Sequence, residues 1–290
     1  MDIRQLRYLA ALARERHFAR AAETCGVAQP TLSAAVRQLE EELGVPIVER
    51  GNRFKGLTRE GERVLSWAQR ILADCEALDQ ELSSLKSAPG GQLVLGVIPT
   101  ALPMTATLTA KLHRTHPGVV LRIRSMSSIE IQRGVDAFEL DGGITYLDNE
   151  PLQRVTARSL YREGLVLVAP PDSPLATRRS ISWAEAAELP LGLLTTDMQN
   201  RRIIDQALKT VAREVLPQIE SNSVVALLSH VRNVGCHAIL PDGYCDQIGV
   251  GNVVSVPLVE PEVHHDVGLV IPNREPTPAL VAALLNSLEP

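Results

Sequence analysis

Apolar residues at Ile3, Leu6, Leu9, Ala10, Leu12 and Ala13 recur at helical spacing and predict a first helix of about ten residues. Phe18, Ala21, Ala22 and Val27 supply the apolar face of a second helix and its following turn, with Gly26 as the break. Leu32, Val36, Leu39 and Leu43 step by four, three and four, so a third helix is expected over 30–43. Pro30 suits its start, where a missing N–H has no partner to lose. Gly44 suits its end, where positive φ is tolerated. Val45 to Arg50, a polar tip at Gly51-Asn52-Arg53, and Phe54 to Thr58 then predict a short two-stranded wing.

Between Gly61 and Pro89 there is neither glycine nor proline. Val64, Ala68, Ile71, Cys75, Leu78, Leu82 and Leu85 alternate steps of four and three, the seam of a two-stranded coiled coil. Packing of that stripe on the chain's own body is the alternative. Ser87 to Gly91 reads as a hinge, and beyond it the pattern changes to alternating strands and helices. Strands are expected at 92–98, 119–126, 140–146, 164–169, 191–194, 215–220, 236–240, 253–257 and 265–271. Helices are expected at 103–116, from 127, and at 199–212, 223–233 and 278–288. Such alternation predicts a parallel sheet covered by helices.

The head carries chemistry suited to DNA. A helix opening with Gln29, Pro30, Thr31 and Ser33 offers short hydrogen-bonding groups that reach base edges in a major groove. Arg50, Arg53, Lys55 and Arg59 cluster on the wing, within reach of phosphates or an adjacent minor groove, with a solvated charged loop as the plain alternative; Arg20 and Arg37 are further candidate DNA contacts on the helices. Phe18 with Ala21-Ala22, Gln29-Pro30 with Leu32-Ser33, Leu39-Glu40 with Leu43-Gly44, Arg50, and the closing Leu57-Thr58-Arg59-Glu60-Gly61 resemble the winged helix-turn-helix of LysR-type transcriptional regulators. Two departures stand out: Ala34 follows the serine where that family usually has a basic residue, and Ile47-Val48 stands where Leu-Phe is common.

The resemblance implies an α/β chain in three parts: a winged helix-turn-helix at 1–60, a dimerising linker helix at 61–88, and an effector domain at 92–290. The last resembles the two-lobed type-2 periplasmic-binding-protein fold. Lobe one is expected at 92–161 and 268–290, and lobe two at 162–267. The resemblance further implies a homotetramer, a pseudo-palindromic double-stranded operator, a small-molecule effector and contact with RNA polymerase.

Open parallel sheets bind ligands beyond the carboxyl ends of their strands, often at helix starts. Thr100, Ser127, Ser128, Thr195 and Thr196 lie at such ends, although each hydroxyl also suits a plain helix cap. The Thr145-Tyr146 and Arg201-Arg202 pairs stand second, with Thr145 and Arg201 preferred; an arginine near the mouth balances an anion, or both are surface charge. Only three Phe, four Tyr and two Trp occur in the chain, which favours a small anion or short carboxylate over a large aromatic effector. The stretch from Asp197 to Arg202 resembles regulators of formate dehydrogenase operons, which makes formate a candidate.

Net charge is −5, yet the first sixty residues carry +2 and the remainder −7. A weakly basic head on an acidic body keeps phosphate affinity local and requires more than one copy for firm binding. The four cysteines lack paired spacing. A thiol-based redox sensor of the same family would need cysteines in 193–207, where there are none. A solute-binding protein without a regulatory role would need an export signal, and the first residues lack its pattern. No apolar run is long enough for a membrane span, so a cytoplasmic location is expected. No nucleophile elbow, phosphate loop or metal-ligand run is present; neither catalysis nor a metal or other cofactor is expected.

Overall fold

A computed structural model describes residues 1–49, 54–84, 90–211 and 215–289. It contains two compact units, one of Met1–Ser87 with Ala137–Glu139, the other of Ala88–Asp136 with Leu140–Pro290. Among the described residues no helix is long and apolar enough to cross a membrane.

The first unit consists of α1 (Ile3–Glu15), α2 (Phe18–Thr24), α3 (Gln29–Leu43) and α4 (Arg59–Ser84). α1 starts where Asp2 accepts from the Gln5 N–H while the Gln5 side chain accepts from the Asp2 N–H, a reciprocal cap. α3 opens with Pro30 in its first turn and ends on Gly44 at φ 69. Leu32, Val36 and Leu39 turn inward, as their spacing predicts. The wing is slighter than expected, with one bridge, Val48 to Leu57, beside Glu49 N–H to Gly56 carbonyl. Its tip, Arg50 to Arg53, lies outside the described residues. Glu40 ties the wing to α3 by accepting from the Ile47 and Val48 N–H groups at 2.6 and 2.9 Å.

The heptad stripe divides. Ala68 is fully buried with Leu6, Leu9, Leu39 and Ile47, and Val64, Leu65, Ile71 and Leu72 pack on that cluster. The first half of the stripe is therefore core of the head itself. Leu78 and Leu82 further along remain exposed, at 55% and 48%. Leu85, with the rest of 85–89, lies outside the described residues.

The second unit runs β1 (Gly91–Val97), α5 (Thr105–Thr115), β2 (Val119–Ser125), α6 (Ser128–Asp136), β3 (Gly142–Tyr146) and β4 (Val155–Ala169). It continues with β5 (Ile181–Ser182), α7 (Trp183–Ala186), β6 (Leu191–Leu194), α8 (Gln199–Thr210), β7 (Ile219–Ser221) and α9 (Val224–Val234). β8 (His237–Pro241), α10 (Tyr244–Gln247), β9 (Val254–Val259), β10 (His264–Pro272) and α11 (Ala279–Ser287) complete it. The strand order is β2-β1-β3-β10-β4-β8-β6-β7, with β9 on β4 and β5 on β9.

The sheet is mixed rather than parallel. β1 pairs parallel with β2 and β3, and β6 with β7 and β8. β10 and β4 lie antiparallel between these two sets, β10 against β3 and β4 against β8, and β4 runs from one set to the other. Their mutual ladder shifts register at Val267/Gly268, where a side chain on Gly268 would meet the Arg158 carbonyl at 2.5 Å. β4 is far longer than the expected 164–169. Its first half is only partly covered and carries Thr156, Arg158, Arg162 and Glu163, so it lacks the apolar run by which the second half announces itself. The expected strand at 215–220 shrinks to three residues because its edge position leaves little of it buried.

Candidate functional site

On the head, Gln29, Ser33 and Arg37 are four residues apart and form one ridge of α3. The Gln29 amide donates to the Ser33 hydroxyl at 2.9 Å, which orients both. Gln29, Pro30, Thr31 and Arg37 are exposed, as is Lys55 on the returning limb of the wing. Arg20 projects from α2 with one guanidinium N–H on the Glu15 carbonyl at 3.0 Å. A groove beside this ridge is lined by Phe18, Gln29, Ser33, Arg37, Val48 and Thr58, with Glu40, Glu41 and Glu49 among its walls. Arg50 and Arg53 lie outside the described residues. The head thus offers a row of polar side chains on one rigid helix, the form that major-groove reading requires.

In the second unit the strand ends converge. Ser127 caps α6: its hydroxyl accepts from the Glu130 N–H, and Glu130 in turn accepts from the Ser127 N–H and hydroxyl. Ser128, one residue on, does something else. It donates to Glu150 at 3.2 Å and accepts from Arg202 at 3.0 Å. Thr145 is buried and donates to the Gln199 amide oxygen, while the Gln199 amide N–H donates to Asn149 at 2.7 Å. Side chains from the start of α8 therefore join the loop after β3. Thr195 has its hydroxyl buried without a partner, and Thr196 lends only its carbonyl, to Arg202.

The two adjacent arginines separate. Arg201 is buried and spends its charge on Asp205 at 2.8 Å and Glu220 at 2.5 Å, with a further bond to the Leu194 carbonyl. Burial pulls its pKa down, but the two carboxylates outweigh that and hold the guanidinium above its usual value. Arg202 is the one that meets the loop after β3. Sequence spacing could not separate them, because the deciding partner, Glu150, sits 52 residues earlier.

Sequence reasoning named Thr100 and Tyr146 as candidates but missed the buried network that joins them to Asn200 and to Glu163 on the crossing strand. Tyr146 donates to Glu163 at 2.6 Å and accepts from the Asn200 amide at 3.2 Å, with the Thr100 hydroxyl 3.5 Å away. Burial, then the nearby Asp242 carboxylate, push Glu163 up to about 7 against the downward pull of the tyrosine hydroxyls. Burial also raises Tyr146, with Glu163 adding to the effect. Thr100, Tyr161, Glu163, Asp242, Tyr244 and Gln247 line a small cavity of about 190 Å³. A lone glutamate within a half-exposed strand gives no periodic signal, which explains its absence from the sequence reading.

The chain matches two family profiles, "Bacterial regulatory helix-turn-helix protein, lysR family" over residues 3–62 and "LysR substrate binding domain" over 86–290. It is 30% identical over 285 residues to the DNA-binding transcriptional dual regulator OxyR of Escherichia coli K12, covering 93% of this chain and 89% of that protein. A probable hydrogen peroxide-inducible genes activator of Streptomyces viridosporus is 36% identical over 210 residues, 71% of this chain and 65% of the relative. Among solved structures, a full-length OxyR variant from Pseudomonas aeruginosa superposes with TM-score 0.76 at 29% identity, over 99% of this chain and 94% of that one. Full-length CbnR, solved with its target DNA, shares the fold with TM-score 0.68 at 19% identity, over 99% of each chain. With both profiles and a relative matched along nearly its whole length, the chain belongs to the LysR family of bacterial DNA-binding transcriptional regulators.

Proposed function

We propose that this regulator reads its operator with the α3 ridge of Gln29, Ser33 and Arg37, aided by Pro30, Thr31, Arg20 and the basic wing. Its shape answers to a small anion or short carboxylate bound between the β1–β3 half and the β6–β8 half of the second unit. The observation that carries this reading is the row of bonds from Gln199, Asn200 and Arg202 to Thr145, Tyr146, Asn149, Glu150 and Ser128, which couples the two halves. Whatever binds there changes how the halves hold one another. An effector preferring one arrangement shifts the population between arrangements, while one with equal affinity for both shifts nothing.

In this reading 1–60 bind DNA, 61–88 pair two copies and 92–290 sense the ligand, with lobe boundaries near 161 and 268. The exposed Leu78 and Leu82 are the part of α4 left for a second copy. Two such dimers form a tetramer, and effector binding resets the spacing of its heads, the DNA bend and the contact with RNA polymerase in the cytoplasm. The test is a thermal-shift panel of formate, acetate and inorganic anions, followed by binding to the chain's own promoter region. A stabilising anion whose effect is lost in Thr100→Val and Ser128→Ala supports the cleft. Anion binding indifferent to both changes defeats it.

The peroxide relatives raise a thiol sensor as the second reading. Burial lifts the thiols of Cys236 and Cys245 above the usual cysteine range, which weakens them as nucleophiles. The segment from Leu193 to Ala207 holds no cysteine. The anion reading is preferred for these reasons.

A further inference from the structure

A carboxylate already occupies the polar seat at the start of α8, and it belongs to the chain itself. The Arg202 guanidinium folds back over the start of its helix, donating to the Thr196 carbonyl at 3.2 Å and the Asp197 carbonyl at 2.7 Å. Held in this way, it presents Nε to Glu150 at 2.6 Å and Nη2 to the Ser128 hydroxyl at 3.0 Å. Ser128 completes the seat by donating to the second Glu150 oxygen at 3.2 Å. Two donors, one charged, therefore grip both oxygens of one carboxylate, as a carboxylate-binding subsite would.

We infer that Arg202 and Ser128 form the carboxylate subsite of this regulator and that Glu150 is its built-in occupant, displaced when a carboxylate effector binds. Both partners are open enough for exchange with solvent, at 29% exposure for Arg202 and 32% for Glu150. Displacement releases the Glu150 side chain and leaves a small molecule, held by Arg202 of one half and Ser128 of the other, as the bridge between them. That exchange is a differential interaction of the kind a switch requires. The resident side chain also sets sensitivity: apparent affinity falls by the fraction of molecules in which Arg202 is free. A regulator built in this way ignores low ambient levels of common carboxylates.

This inference rests on the cleft reading and fails separately from it. The full chain and its Glu150→Gln variant are titrated with sodium formate and sodium acetate, against sodium chloride at equal ionic strength, with Tm as the readout. Glu150→Gln keeps the shape of the side chain and removes its charge. The expected result is carboxylate binding at least about tenfold tighter than in the unaltered chain, equivalent to ~1.4 kcal/mol. Adding Arg202→Gln to that variant should abolish the difference between carboxylate and chloride. If Glu150→Gln proves insoluble, Glu150→Ala serves, with acetate restoring the lost Tm in place of the missing side chain. A carboxylate response that is unchanged in the glutamate variant, or that persists without the arginine, overturns the inference. An anion that acts through Thr100 while Glu150→Gln has no effect leaves the cleft reading standing and removes only the resident occupant. Tight formate binding by Glu150→Gln with unaltered affinity for the promoter duplex does the reverse.

Discussion

The head and the effector unit place their polar side chains in opposite ways. On the head, Gln29, Ser33 and Arg37 sit within nine residues on one helix, with Gln29 and Arg37 exposed, ready for a partner outside the chain. In the effector unit, Thr100, Thr145, Tyr146, Glu163 and Asn200 are buried and bonded to partners up to 54 positions away in sequence. A surface that meets a large polyanion gains from leaving its donors free. A cleft that must hold two halves in register without a ligand gains from internal satisfaction, because an unpaired buried polar group costs ~1–3 kcal/mol.

The sharpest way to break the head is at a position with no polar chemistry. Gly61 lies so close to the wing base that a Cβ there would meet the Ile47 carbonyl oxygen at 2.1 Å. That oxygen already accepts from the Thr58 N–H, and the Thr58 hydroxyl caps the start of α4 at the Gly61 N–H. Gly61→Ala must push backbone from backbone, and we expect a loss of about 3 kcal/mol or more in the stability of the head. Chemical denaturation should show the loss in the head, with the effector unit's transition unmoved. Equal loss in both transitions would mean that the two units are not independent in stability.

The effector unit breaks differently, through Glu163. Its folded pKa of about 7 lies above the ordinary carboxylate value of 4.5, so the folded state holds a proton that the unfolded chain releases. The resulting stability is complete below about pH 4.5 and is lost as pH rises towards 7. Glu163→Gln keeps the tyrosine contacts without the charge. It should raise stability at pH 8 by about 2–3 kcal/mol and flatten the slope between pH 4.5 and 7. Tm measured across that window checks both parts, and an unchanged slope would place the titration elsewhere.

On DNA the expected effects are smaller and differ in kind. Gln29→Ala should cost about 1–3 kcal/mol on the cognate duplex and little on random sequence. Lys55→Ala should weaken both alike and lower the salt dependence by about one ion. Anisotropy titrations at several salt concentrations separate the two roles; equal behaviour would dissolve the distinction between base reading and phosphate contact.

The same contrast explains what the sequence could reveal. Leu32, Val36 and Leu39 announce α3 because a helix buries one face at fixed spacing, and the polar ridge then follows from the remaining positions. The stripe along α4 was legible as a stripe, but not the fact that Ala68 belongs to the head's own core. A heptad shows that a face is apolar without showing what covers it. In the effector unit the strand ends Thr100, Ser128 and Thr195 were visible, whereas Glu163 and Glu150 were not. Their meaning depends on β4 crossing between the two halves and on a loop after β3, and no local period encodes either.

Ser127 and Ser128 bring both modes onto consecutive residues, and they give the finest test. Ser127 serves the backbone: its hydroxyl accepts from the Glu130 N–H and caps α6. Ser127→Ala should therefore cost about 1 kcal/mol of stability, typical of a lost cap, and leave the carboxylate response intact. Ser128 contacts Glu150 and Arg202 rather than its own helix. Ser128→Ala should cost at most about 0.5–1.5 kcal/mol of stability, the worth of one ordinary hydrogen bond. It should also remove most of the difference between formate and chloride. Two neighbouring serines, equal in composition and nearly equal in burial, would then separate on ligand response alone. If both alter that response equally, the hydroxyl of Ser128 has no special place in the seat and Arg202 holds the carboxylate by charge only.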